Sequence, residues 1–214
     1  QPIRSLVVGT LILVAGLYSA LSLAATGETQ VGVTAASNID AVGTPPVSPA
    51  RDLETGVEVY FYEQVVTDSD GRAQLLFQDG TALTVGPESD MVIDEYLYDP
   101  ATGTGEMTVS ISKGIFRLVG GKISKKSAIQ FNTPTATIAV RGGIMLFNYR
   151  NNVLSADLLF GDELRVTAQG VMSRTTQSGR YITVENAAAP PSSSKERDPA
   201  IIGNMVKALE RQVV

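Results

Sequence analysis

The feature that most constrains this chain is a rhythm. Between residues 53 and 184, short runs of β-branched and aromatic residues alternate with polar ones. Gly, Asp, Asn or Pro breaks them roughly every 8–12 residues. Val57-Glu-Val-Tyr-Phe61, Ala73-Gln-Leu-Leu-Phe77, Thr81-Ala-Leu-Thr-Val85, Met107-Thr-Val-Ser-Ile111 and Ala136-Thr-Ile-Ala-Val140 carry the pattern. In an extended chain such alternation sends successive side chains to opposite faces, one to a core and one to water. No part of the span sustains a helical period for three turns. The expectation is an all-β fold over residues 51–185, with many short antiparallel or solenoid-like strands in a sandwich or β-helix-like domain. A strict repeat period is missing.

The corners read locally. Asp79-Gly80, Gly86-Pro87, Lys113-Gly114, Gly120-Gly121 and Gly142-Gly143 are expected turns, so Met107–Ile111 and Ile115–Val119 are expected as two strands. Asp68-Ser-Asp-Gly71 begins like a calcium loop, but the later ligands do not follow, and it reads as a hairpin turn. Thr133-Pro134 reads as the start of a strand that lacks one donor. Lys113, Arg117, Lys122, Lys125 and Lys126 are expected to blunt exposed strand edges.

The ends differ from the middle. Residues 5–25 contain no charge; Arg4 precedes them, and Ser22-Leu-Ala-Ala25 closes them with small residues. This is the layout of a signal peptide over residues 1–24, an apolar leader helix cut after Ala24 or Ala25. The competing reading is an uncleaved membrane anchor. Either reading exports the remainder, to the periplasm, to the outside or to the outer surface of the inner membrane. The absent initiator Met suggests that the n-region extends further upstream. Residues 25–50 read as a linker or irregular first strand, and residues 186–198 as a Pro/Ser linker. Asp198-Pro199 then opens an amphipathic helix over residues 199–213, with Ile201, Ile202, Met205, Val206 and Leu209 on one face. Alone it is marginal in water. Docking on the β-domain is preferred over docking on a partner.

Composition removes whole classes of chemistry. The chain has no Cys and no His, so a disulfide framework, a thiolate or imidazole metal site and a Ser-His-Asp triad are all excluded. A net charge of −5 argues against nucleic acid as a partner. The densest acidic group is Asp90, Asp94, Glu95 and Asp99, a pattern able to ligate Ca²⁺ or to serve as an acid/base pair. On one strand, Asp90 and Asp94 share a face and Glu95 points the other way. The bland alternative is a solvated face with Asp99-Pro100 capping a turn. Tyr96 and Tyr98 share a face and form a candidate surface platform. Arg141, before Gly142-Gly143, is a candidate carboxylate or phosphate binder; alternatively it pairs internally with a carboxylate such as Asp94.

Asp79-Gly-Thr-Ala-Leu-Thr-Val-Gly86, Ile93-Asp-Glu-Tyr-Leu-Tyr-Asp-Pro100, Lys113-Gly-Ile-Phe-Arg117 and Thr133-Pro-Thr-Ala-Thr-Ile-Ala-Val-Arg-Gly142 together resemble the FecR domain family, in that family's order and spacing, across residues 53–183. Ala139 stands where Gly is common, and Gly143 where many members have Thr. The family-motif positions are Asp79, Gly80, Asp94, Asp99, Lys113, Gly114, Arg117, Thr133, Pro134, Arg141 and Gly142. The resemblance implies a bacterial envelope domain, β-rich and engaged in protein contacts, with no catalytic residues, metal or cofactor to carry over. The namesake regulators resemble single-span proteins that control a sigma factor from inside. At most four residues precede the apolar segment here, so that signalling role is not carried over.

The leading expectation is therefore a non-enzymatic, exported binding module, touching a membrane only through its N-terminal segment. It docks a partner protein or an envelope polymer through Asp94, Tyr96, Tyr98 and Arg141. The alternatives are a carboxylate-based glycan-active enzyme using Asp90, Asp94 or Glu95, and a Ca²⁺-stabilised structural protein of the envelope.

Overall fold

The computed structural model describes residues 27–38 and 40–210. The leader expected over residues 1–24 lies outside them, as does the end of the expected C-terminal helix beyond Glu210. The described chain runs through β1 (Gln30–Ser37), β2 (Ala41–Thr44), β3 (Arg51–Asp52), β4 (Glu58–Tyr60), β5 (Gln64–Thr67), β6 (Ala73–Phe77), β7 (Ala82–Val85), β8 (Asp90–Asp99) and β9 (Thr104–Val119). A 3-10 turn at Ile123–Lys125 leads to β10 (Ile129–Asn132), β11 (Thr137–Arg141), β12 (Ile144–Arg150), β13 (Val153–Phe160), β14 (Glu163–Ala168), β15 (Val171–Thr175), β16 (Arg180–Val184) and β17 (Lys195–Glu196). Helix α1 (Pro199–Glu210) follows. It is too short to cross a membrane, and no other helix among the described residues is long and apolar enough to do so.

The strands form two layers. One has the order β4-β1-β6-β7-β9-β12-β13-β16-β17, and the other β3-β2-β5-β8-β9-β10-β11-β14-β15. We call them sheets A and B. All pairings are antiparallel except β9 with β10. From β10 onward, hairpins fall alternately on B and A, so the chain rolls like a flattened solenoid while the layers pack as a sandwich.

Strand β9 belongs to both layers. Its first half pairs with β8 and β10, and its second half with β7 and β12. Lys113-Gly114 is thus a bend within one strand, and the two expected strands are one. Gly114 sits at φ 131°, and a Cβ there would collide with the Ser89 side chain. Lys113 and Arg117 consequently lie on a central strand and not on an edge, which corrects their expected blunting role.

The core lies between the sheets. Leu75, Leu83, Phe116, Leu118 and Phe147 from sheet A meet Met91, Ile93, Val109, Phe131 and Ile138 from sheet B, all fully buried. Phe131 and Phe147 meet across the sandwich with ring centroids 4.8 Å apart. Each fully buried side chain of this kind contributes about 1.5–3 kcal/mol relative to exposure, which offsets the absence of disulfides.

Two corners differ from their sequence reading. Asp68-Ser-Asp-Gly71 links β5 in sheet B to β6 in sheet A, so it is a crossover and not a hairpin. Asp68 Oδ1 accepts from the amides of Asp70 (3.1 Å) and Gly71 (3.0 Å). Thr133-Pro134 is the tip of the β10–β11 hairpin, closed by Thr133 N–H donating to Ala136 O at 2.9 Å.

The C-terminal segment folds back. Ser192 N–H donates to Thr183 O (2.8 Å), β17 pairs with β16, and α1 then lies on the outer face of sheet A. Leu209, 3% exposed, packs with the buried Ile115 and Leu146 beneath it. Ile202, Met205 and Val206 join this cluster, whereas Ile201 stays exposed.

Candidate binding site

The candidate residues divide between β8 and the β11–β12 corner. Along β8, Met91 and Ile93 point into the core, as alternation requires. Ile93 then pairs with Val109 and Glu95 with Thr108, so Asp94 is an extra residue, a β-bulge. The bulge resets the alternation. Tyr96 and Tyr98 therefore point inward and pack against the core, while Glu95 and Leu97 face solvent. The expected tyrosine platform is the floor of the sandwich end, and its outer surface is formed by Glu95 and Leu97.

Tyr96 stacks on Phe77 with centroids 5.4 Å apart, and its phenol reaches Asp79. Asp79 is 2% exposed and ties three segments together. Its carboxylate accepts from Thr81 N–H (3.1 Å), Thr81 Oγ1 (2.7 Å), Ile123 N–H (3.1 Å) and the Tyr96 hydroxyl (3.3 Å). Its carbonyl accepts from Lys122 N–H at 3.0 Å. Gly80 completes the turn at φ 84°, in open space. Burial, together with the neighbouring Asp79 charge, pushes the Tyr96 phenol well above its ordinary pKa. This cluster is a lock between the β6–β7 turn, the loop at 120–125 and β8.

The acidic group does not converge on a cleft. Asp90 accepts from Gln64 Nε2 at 2.9 Å, Asp94 accepts from the Ser110 hydroxyl, and Glu95 accepts from Thr108 Oγ1 at 3.2 Å. Asp99 holds its own turn through Thr102 Oγ1 (2.8 Å) and Ala101 N–H (2.9 Å), and these bonds keep its carboxyl below the usual range. A groove of about 810 Å3 does open on the outer side of sheet B, walled by Asp40, Asp52, Glu54 and Asp68, but none of Asp90, Asp94 or Glu95 lines it. Among the described residues, no group of three or more acidic side chains is placed to hold a metal ion.

Arg141 closes β11, three strands from β8, about 14 Å away at ordinary strand spacing. It is half-exposed and stands 3.9 Å from Asp162, not beside Asp94. Gly142 (φ 58°) and Gly143 (φ 104°) form the left-handed corner after it, packed against Phe160-Gly161 too tightly for a side chain at Gly143. Arg117 reaches Glu210 of α1 at 2.6 Å. Asp94, Tyr96, Tyr98 and Arg141 thus do not form one constellation.

The model of the FecR family, described as FecR protein, matches residues 63–162. These residues are a FecR domain. All four phrases that carried the resemblance fall inside this span, which runs from the end of β4 to the Arg141–Asp162 corner. Two crystal structures described as a "putative anti-sigma factor" from Parabacteroides distasonis share the fold of this chain, with TM-scores of 0.53 and 0.51 and identities of 15% and 13%. Each likeness covers 67% of this chain and 64% of the other. No curated protein matches the chain. The FecR domain fills the middle of both sheets, and β1–β4 and β14–β17 extend them on either side.

One cluster gave no signal in the sequence. Arg197, next to β17, bonds the carboxylate of Asp157 and the hydroxyl of Ser155 and stacks over Tyr181, 3.4 Å from its ring centroid. Asp157 is 1% exposed and Arg197 9%. The residues are 40 positions apart, and only the fold-back of the C-terminal segment unites them.

Proposed function

We propose that the FecR domain is an exported, non-enzymatic module of a signalling system, which recognises a partner protein or another component of the envelope. The carrying observation is the FecR match itself, on a framework whose motif residues are spent on internal turns. Asp79, Gly80, Gly114, Thr133, Pro134 and Gly142 hold corners and the bend of β9. That leaves a stiff scaffold that recognises through its surface. The fold likeness to chains described as anti-sigma factors favours a protein that regulates, or is regulated with, a sigma factor.

The face offered to such a partner is the far edge of sheet B. Among the described residues, strand β15 pairs only with β14, and Val171 and Met172 are exposed. An open edge of this kind accepts an added strand, whose backbone supplies affinity while alternate side chains supply specificity. Glu95, Leu97 and Arg141 lie on other exposed parts of the same sheet.

Photo-crosslinking in the native envelope tests this. A photoreactive residue in place of Met172 is expected to capture one defined protein or polymer, and Val171→Pro is expected to abolish that adduct while the melting temperature holds. Positions 171, 172, 97 and 141 all remaining without an adduct would remove the proposal.

A further inference from the structure

The outer face of sheet A carries a row of apolar residues that α1 leaves uncovered. Cross-strand pairing sets Val33 opposite Leu76, Leu76 opposite Ala82, Ala82 opposite Val119, Val119 opposite Ile144, and Ile144 opposite Phe160. The inward neighbours of Leu76, Ala82, Val119 and Ile144, namely Leu75, Leu83, Leu118 and Met145, are fully buried, so these four face outward, and a register shift beside Ile144 brings the exposed Phe160 into line with them. Phe160 is 68% exposed, Leu76 40% and Val119 37%. Across β1, β6, β7, β9, β12 and β13 the row is about 24 Å long. Single exposed apolar residues are ordinary, but an unbroken row across a sheet marks a contact surface.

Two further observations say what the row meets. Lys122, Lys125 and Lys126 follow β9 directly beyond Val119, and all three are exposed. Among the described residues none of them forms an ion pair, Lys126 Nζ donating only to the Thr102 carbonyl, whereas the nearby Arg141 is offset by Asp162. Half of the six lysines of an acidic chain thus gather beside the middle of the row, just past the end of β9. The described chain also begins on this side: Gln30 O accepts from Gln78 Nε2 at 2.8 Å, and Thr29 O accepts from Phe61 N–H at 2.9 Å, beside the Asp79-Gly80 turn. Immediately upstream is the uncharged, apolar stretch of residues 5–25.

We propose that this row, with Lys122, Lys125 and Lys126 beside it, rests the FecR domain on the surface of an anionic lipid bilayer. The apolar side chains reach the acyl boundary, and the ammonium groups sit among the anionic headgroups. The domain lies with sheet A tilted toward the membrane and β15, the edge offered to a partner, on the far sheet. The inference uses the export part of the proposed function, and its test needs no partner protein, so either can fail without the other.

The chain has no Trp, so one introduced indole reports alone. In the full chain reconstituted with phosphatidylglycerol-containing vesicles, Phe160→Trp and Leu76→Trp are expected to shift their emission to the blue. Brominated acyl chains are expected to quench them. Val66→Trp, on the outer face of sheet B, is expected to be unmoved by the same vesicles. Replacing the three lysines by Glu is expected to abolish the shift at 160, as is exchanging the vesicles for phosphatidylcholine at moderate salt. An aqueous emission at 160 and 76 on vesicles that carry the chain would overturn the proposal. So would an equal shift at 66, or a shift that grows with protein concentration before any lipid is added, which marks a contact between copies.

Discussion

Tyr96 and Asp79 complete each other's hydrogen bonding: the phenol oxygen accepts from the Asp79 amide at 2.9 Å and donates to the Asp79 carboxylate at 3.3 Å. Asp79 is buried and Tyr96 covers it, so the Asp79 amide finds no ready substitute partner when the phenol is removed. Tyr96→Phe is expected to cost about 1–2 kcal/mol, the penalty of a buried unpaired amide. Asp79→Ala, which also strands the Thr81 and Ile123 amides, is expected to cost about 2–4 kcal/mol. Urea unfolding of the double variant is expected to show a loss well below the sum of the two, the sign of a shared network.

Gly80 and Gly114 both have positive φ, yet they differ in surroundings. Gly80 (φ 84°) has open space where a Cβ would go, whereas Gly114 (φ 131°) faces the Ser89 side chain. Gly80→Ala is expected to cost about 1 kcal/mol, from backbone strain alone. Gly114→Ala adds a collision at the bend where β9 passes between sheets, and a loss above about 2 kcal/mol is expected. Equal denaturation midpoints for the two variants would contradict this placement of the bend.

The Asp157–Arg197 pair gives a pH signature. Burial raises the Asp157 carboxyl above its ordinary pKa, although the bond and charge of Arg197 pull it down. The native state then holds a proton that the unfolded chain has released, so this group lowers stability as pH rises from the ordinary Asp value through the raised native one. Asp157→Asn is expected to flatten that part of the melting-temperature profile. Arg197→Leu leaves a buried carboxylate unpaired and is expected to cost about 3–5 kcal/mol near neutrality. Its deficit is expected to shrink in acid, where Asp157 is protonated.

Helix α1 is held by one buried side chain and two polar contacts. Besides Leu209, Arg72 Nε donates to Ala208 O at 2.7 Å and Arg117 bonds Glu210. Leu209→Ala is expected to cost about 2–4 kcal/mol locally. Because so short a helix is marginal alone, amide exchange is expected to accelerate across residues 199–210 while the strands stay protected. Glu210→Gln, at a half-exposed position, is expected to change stability by less than about 1 kcal/mol.

The strand rhythm, the Asp79-Gly80 and Gly142-Gly143 corners and the amphipathic face of α1 were legible because each depends on residues within one turn or one strand. The fate of Tyr96 and Tyr98 was not. Strict alternation from Met91 and Ile93 would have put Glu95 in the core; the bulge at Asp94 exchanges the faces, and only pairing with β9 creates that bulge. The same limit hid the role of Gly114, because Lys-Gly within an alternating run reads as a turn until a partner strand is seen on each half.

Local chemistry in the chain determined that it is β-rich and where it bends, and its phrases carried the resemblance that the family match over residues 63–162 bears out. Tertiary structure decided which sheet each strand joins, that Asp79 locks a corner, and that Asp157 and Arg197 meet. It also aligned Val33, Leu76, Ala82, Val119, Ile144 and Phe160 into one outward-facing row. The reason is physical: alternation is a property of one strand, whereas register is a property of two, and a shift of one residue between them exchanges core for surface.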